Sequence, residues 1–177
     1  LRLRMDGTSS AGREHPEAHG ASGDIRDAAL VAETLGIPHS VLDLRAEFQN
    51  RVISNFVQEY ARGRTPNPCA VCNRFIKFGA MLEYALSHGF DYIATGHYAN
   101  ITRQETEKGP GRWLLKSVPS QKDQSYMLYS LSQKQLSHTL LPLAGYTKEE
   151  IRSIAESAGL PVAKKPDSQE ICFVPDN

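Results

Sequence analysis

From Asp24 onward, helical and strand periodicities alternate along the chain, and that alternation restricts the fold more than any other feature. Ile25, Ala28, Ala32 and Leu35 recur at helical spacing until Gly36 and Pro38 stop the pattern. Residues 40–44 then alternate as a strand does. Phe48, Val52, Ile53, Phe56, Val57 and Tyr60 mark a second helix, and Phe75, Phe78, Leu82 and Leu86 a third that Gly89 ends. Residues 91–95 read as a short buried strand running into Gly96-His97. Such an order predicts an α/β fold, a parallel sheet flanked by helices. With 177 residues, 40% of them hydrophobic, the chain can bury a core as one domain.

The remaining segments read less strongly. Residues 8–23 are polar and aperiodic, which predicts a surface loop. Residues 101–103 and 113–118 flank Glu107-Lys108-Gly109-Pro110-Gly111, a predicted hairpin turn. Lys122-Asp123-Gln124-Ser125-Tyr126 reads as the opening of an amphipathic helix. Thr147 and Glu150 form a candidate capping box for a helix through Ile151, Ile154, Ala155 and Ala158, ended by Gly159 and Pro161. A sub-boundary is expected near residues 140–146, ahead of this helix and the Cys172 loop.

Composition excludes several classes. Lys and Arg total 20, as do Asp and Glu, so no global charge argues for nucleic acid. No apolar run approaches the ~18–20 residues needed to span a bilayer, and no signal peptide is visible. Three cysteines are too few for a secreted disulfide framework, which points to a reducing cytoplasm. The chain opens on Leu1 and stops at Asn177, just past its last cysteine, and reads as part of a longer protein.

Sulfur is confined to two punctuated motifs. Cys69 and Cys72 lie in Gly63-Arg64-Thr65-Pro66-Asn67-Pro68-Cys69-Ala70-Val71-Cys72-Asn73, and Cys172 follows 100 positions after Cys72 in Asp167-Ser168-Gln169-Glu170-Ile171-Cys172-Phe173. A lone CxxC admits structural zinc, a redox dithiol, an iron–sulfur ligand pair or two inert loop cysteines. The reading that favours chemistry rests on Cys72. It stands at the start of a helix near Arg64, Arg74 and Lys77, where the helix dipole and the cations would favour a thiolate. Pro66 and Pro68 stiffen the approach.

Three further stretches each have an ordinary alternative. Thr95-Gly96-His97-Tyr98 ends a strand, where ligands gather in open α/β sheets, although a glycine there is often simply a turn. Lys122-Asp123-Gln124 offers phosphate and base-edge contacts, or merely caps a helix. Ala163-Lys164-Lys165-Pro166-Asp167-Ser168-Gln169 is either a solvated turn or a mobile loop bringing Cys172 to Cys72.

Taken in order and spacing, GRTPNPCxxCN with IKF, DYIATGHYA, KDQSYMLYSL and AKKPDSQEICF resemble the bacterial tRNA 2-thiouridylases, from about Asp24 to the last residues. The resemblance implies a PP-loop ATP-pyrophosphatase fold and ATP-dependent replacement of O2 by sulfur in the wobble uridine of tRNA. It further implies that Cys72 is the nucleophile, that Cys172 carries a persulfide, and that the two pass through a transient Cys72–Cys172 disulfide. Gly96 would contact ATP, used with Mg2+. Asn67, Pro68 and Cys69 would lie against the target base, and Lys122, Asp123 and Gln124 would contact the tRNA anticodon loop. Sulfur would come from a cysteine desulfurase or a relay protein, in the cytoplasm and without a membrane.

Two departures stand beside the resemblance. The glycine-rich SGGVDSS loop of the family is not present ahead of the first helix, and Thr8-Ser9-Ser10 lacks the glycines that cradle pyrophosphate. The family's C-terminal domain is missing too. Residues 1–177 are thus expected to be one truncated catalytic domain, inactive by itself. Many relatives also carry aspartate where this chain has Cys69. A version with Cys69, Cys72 and Cys172 implies an alternative in which the three hold a [4Fe–4S] cluster. Two other readings compete: a related ATP-pyrophosphatase tRNA thiolase, and a catalytically dead tRNA- or metal-binding remnant.

Overall fold

The computed structural model describes residues 21–107, 109–165 and 171–174. The first twenty residues, including most of the expected surface loop and Thr8-Ser9-Ser10, and residues 166–170 of the basic loop lie outside them. The chain forms two compact units, one of Ala46–Ile151 and one of Leu1–Arg45 with Arg152–Asn177.

The larger unit is built on two interrupted helices. The first begins with α2, Arg45–Phe48, passes through a π-helical stretch, Gln49–Ile53, and continues as α3, Ser54–Ala61. The second runs from α4, Pro68–Cys72, through a π-helical Asn73–Ala80 into α5, Met81–Ser87, and ends at Gly89 with φ +82°. π-Helix is rare and needs a local cause. Along Asn73–Ala80 the distant partner is Gln135, whose Nε2 donates to the carbonyls of Arg74 (3.1 Å) and Phe78 (2.7 Å). A side-chain amide thus bonds to two carbonyls of the stretch.

Strand β1, Ile93–Ala94, pairs in parallel with β4, Thr139–Leu140. Between them lie an antiparallel ribbon, a one-turn 3₁₀ helix at Ser125–Met127, and α6, Gln133–Ser137. In the ribbon, β2 (Asn100–Thr106) pairs with β3 (Gly109–Lys116). The fold is the α/β arrangement with a parallel strand pair and flanking helices that the alternation predicts. Phe78, Leu82, Ile93, Ala99 and Leu128 form its core, covered by Met81, Ala85, Leu86, Leu115, Leu131 and Leu141. The third predicted helix, the 91–95 strand and the hairpin all contribute to that cluster.

Three expectations need correction. Residues 40–44 form no strand, because no other strand among the described residues pairs with them. Lys122-Asp123-Gln124-Ser125-Tyr126 opens no amphipathic helix but makes a short turn, since its polar side chains bond to nearby backbone instead. Gly109-Pro110-Gly111 belongs to β3 rather than to the turn. Proline is tolerated there because a two-stranded ribbon consists entirely of edges. Gly111 suits the register shift after Gln104, since a Cβ would stand 3.0 Å from the Gln104 carbonyl.

In the smaller unit, α1 spans Ala21–Leu35 and ends at Gly36 with φ +65°, as the periodicity predicts. Its Asp24 and Asp27 both pair with Lys165, each at 2.5 Å. Helix α7, Lys148–Ser157, begins in the larger unit on the expected capping box: the Thr147 N–H donates to Glu150 Oε2 (2.7 Å) and the Glu150 N–H to Thr147 Oγ1 (3.2 Å). Among the described residues, no helix is long and apolar enough to cross a membrane.

Candidate functional site

The cysteine helix is capped by its own motif. Asn67 is extended, and its Oδ1 accepts the Ala70 N–H at 3.1 Å. Pro68, buried, takes the first helical position, where its fixed φ suits and its missing N–H costs nothing. This entry leaves Cys69 exposed and Cys72 half-buried, the latter five residues past the cap and within a continuing helix. Cys69, Cys72 and Cys172 are all thiols, so the expected Cys72–Cys172 bridge is not formed here.

Asparagines on either side of the cysteine pair reach the 122–129 segment. Asn73, only 2% exposed, donates from Nδ2 to the Met127 carbonyl at 3.1 Å. Asn67 Nδ2 lies 3.5 Å from Met127 Sδ. The Asn73 Oδ1 is buried and has no hydrogen-bond partner, an unmet demand that a built-in water or a ligand donor would satisfy.

Gln124 fastens the same segment to the strand end. Its N–H donates to the Tyr98 carbonyl (2.8 Å), and its Oε1 accepts the Tyr98 N–H (3.1 Å). Asp123 folds inward. Its Oδ1 accepts Val118 N–H at 2.9 Å, and its Oδ2 accepts Ser125 Oγ–H at 2.7 Å and Ser125 N–H at 3.3 Å. Burial pushes the Asp123 carboxyl up, but the bonds from Ser125 and Val118 outweigh it and hold the group below its ordinary range. Two of the three expected tRNA contacts, Asp123 and Gln124, therefore shape the turn itself. Lys122 is exposed on it.

Gly96 is exposed, just past the carboxyl end of β1. A Cβ there would meet only Leu143 Cδ1, at an ordinary 3.6 Å, so nothing in the chain itself demands glycine. Beside it, His97 is half-buried. Its Nδ1 lies 2.9 Å from Thr95 Oγ1, and its ring stands 5.8 Å from that of Phe78. Burial, aided by Lys77, lowers its pKa to about 4.

Two of the cations expected around Cys72 have partners of their own. Arg64 is committed to Glu59, bonding through Nε and through Nη2 at 2.6 Å, and Arg62 also reaches Glu59 at 3.4 Å. Arg74 lies over the Phe75 ring at 5.0 Å. Lys165 of the basic loop is engaged by Asp24 and Asp27.

A cluster needs three thiolates, and the larger unit supplies two, Cys69 and Cys72, while Cys172 belongs to the smaller. Among the described residues, no group of three or more His, Cys, Asp and Glu side chains is placed to hold a metal ion. Cys69, Cys72 and Cys172 would be the thiols to hold such a cluster.

Sequence reasoning passes over Asn73, Met127 and Gln135. Only Asn73 left a signal, a polar residue interrupting the apolar positions of its helix.

These features place the chain in a defined class. Residues 2–176 match the model of the tRNA methyl transferase HUP domain, and the chain belongs to that family. It is 58% identical over 153 residues to the tRNA-specific 2-thiouridylase MnmA 2 of Thermoanaerobacter sp. (strain X514), covering 86% of this chain and 41% of that protein. It is 57% identical over 155 residues to the tRNA-specific 2-thiouridylase MnmA of Treponema denticola, covering 87% and 42%. The Acetivibrio thermocellus protein of that name is 56% identical over 154 residues, covering 86% and 42%. The chain thus spans about two-fifths of the length of the curated relatives it matches.

Proposed function

We propose that this chain is the cysteine-bearing part of an enzyme that exchanges O2 of a tRNA uridine for sulfur. The observation that carries the reading is the fastening of the Asn67–Asn73 motif to the 122–129 turn through Met127. Proximity of thiol and RNA-binding groups is what such a transfer needs. The relatives' names favour sulfur chemistry over the methyl transfer in the family's description, and so do the paired cysteines.

Gly96 would lie against ATP, which with Mg2+ would supply the adenylyl group that makes the uridine oxygen a leaving group, with pyrophosphate released. Cys172 receives a persulfide from a cysteine desulfurase or relay protein. The Cys72 thiolate attacks the Cys172 sulfur, forming a Cys72–Cys172 disulfide and expelling hydrosulfide. Hydrosulfide adds at C2, the adenylated oxygen departs as AMP, and a proton is released. An external thiol then reduces the disulfide. The base must leave its stack to be reached, so Asn67, Pro68 and Cys69 receive it splayed out, while Lys122 and its turn hold the anticodon loop.

The test is Cys72→Ser in the intact gene product, read by nucleoside mass spectrometry of reacted tRNA and by tRNA affinity. Thiolation should vanish with affinity held within a few-fold. A variant that thiolates normally removes Cys72 from the chemistry.

A further inference from the structure

Both π-helical stretches border one surface hollow of about 370 Å³. Arg51 comes from the first stretch, and Arg74, Phe75 and Gly79 from the second. π-Helical turns are rare and collect at functional sites, so two at one hollow invite a functional explanation. Both guanidinium carbons lie over the Phe75 ring, Arg51 at 5.5 Å and Arg74 at 5.0 Å from its centre. Phe75 is 37% exposed, an aromatic support left open to solvent.

Among the described residues neither arginine forms an ion pair, although Glu47 and Glu83 border the same hollow. Two guanidinium groups are therefore oriented by an aromatic face rather than neutralised by a carboxylate. That leaves their N–H forks available to an outside acceptor, and guanidinium geometry suits phosphate oxygens. Arg74 follows Cys72 by two residues, about half a helical turn, so it points away from the thiol's side of the helix.

We propose that this hollow is a second RNA contact, in which Arg51 and Arg74 grip a backbone phosphodiester of the tRNA at a distance from the target base. Phe75 holds the two cations in place. The inference rests on the reading of tRNA as substrate and adds a site to it. Glu47 and Glu83 oppose the anion and set a limit on its affinity, which suits one phosphate among many in a long RNA and disfavours a free phosphate ion.

The test measures affinity of the intact gene product for tRNA as a function of salt. Each phosphate contact adds close to one to the slope of log K against log salt. Arg51→Gln with Arg74→Gln should weaken binding several-fold and lower the slope by about two. Arg51→Lys with Arg74→Lys should keep most of the slope, and Glu47→Gln with Glu83→Gln should tighten binding. Inorganic phosphate at the same ionic strength should compete no better than chloride; specific competition would identify a small-anion site and overturn the RNA assignment. An unchanged slope in the glutamine variant overturns it too, and if that variant does not fold, an unchanged affinity in the Glu47/Glu83 variant does so. Failure of the parent protein to bind tRNA would instead overturn the functional reading beneath it.

Discussion

Asn73 Nδ2 donates to the Met127 carbonyl across 54 positions of sequence, at 3.1 Å, from a side chain that is almost wholly buried. This bond ties the helix bearing Cys69 and Cys72 to the turn bearing Lys122, Asp123 and Gln124. Asn73→Asp keeps the shape but replaces the donor with an acceptor facing an acceptor. A buried group left in that state costs about 1–3 kcal/mol, more when charged. Urea unfolding should show a loss of at least about 2 kcal/mol that grows as pH rises through the carboxyl's titration. Equal stability of parent and variant at neutral pH would remove the bond from the fold's support.

The turn itself depends on Asp123, which accepts three hydrogen bonds. Its lowered pKa means that the folded form favours the ionised carboxyl. The stability it contributes is therefore present above its unfolded pKa and lost as pH falls through the folded value. Asp123→Asn should destabilise by about 1–2 kcal/mol at neutral pH and flatten the acid limb below about pH 4. A variant with the parent's acid limb would contradict the assignment.

Much of the backbone was legible because its causes are local. Gly36 and Gly89 end helices where the sequence places them, and Thr147 and Glu150 cap theirs three residues apart. The failures share a distant or missing partner. Residues 40–44 alternate properly, but a strand exists only beside another strand. The polar run from Lys122 reads as a helix start until Tyr98, 26 positions earlier, engages Gln124. No local pattern announces the π-helical stretch Asn73–Ala80, whose side-chain partner Gln135 lies 57 positions beyond Phe78. At the site, the motifs named the cysteines and the strand-end glycine, while the residues that fasten them together gave almost no sign.

Gln135 supports a sharper expectation. Gln135→Met keeps the length and removes the amide, leaving the Arg74 and Phe78 carbonyls to water or to α-helical rearrangement. A loss of about 1–3 kcal/mol should follow. Faster amide exchange should appear within Asn73–Ala80, with α1 unaffected. Exchange that is unchanged there would mean the π-helix persists without its side-chain partner.

Cys69 and Cys72 are predicted to behave differently. Cys69 is exposed and Cys72 half-buried, and the proposed transfer uses only Cys72 and Cys172. Cys69→Asp should retain thiolation within about tenfold, whereas Cys72→Asp should abolish it. Nucleoside analysis of tRNA from cells that depend on each variant reads both. Loss of activity in both would show that the first thiol takes part, and would revive a three-cysteine centre.

The last prediction concerns His97, whose pKa of about 4 lies below the ordinary 6.5 because the ring is buried and Lys77 is near. The folded protein thus holds His97 neutral while the unfolded chain protonates it. Between pH 6.5 and 4 the unfolded state binds the extra proton, so stability must fall as pH falls, by at most about 1.4 kcal/mol per unit from this group. Above pH 6.5 its contribution is constant. His97→Gln cannot take up that proton in either state. Comparing urea midpoints of the two proteins from pH 7 to 4.5 should show the parent declining more steeply, with the gap opening near pH 6. Parallel curves would mean that His97 titrates at its ordinary pH, and that Thr95, Phe78 and Lys77 do not keep it uncharged beside the strand end.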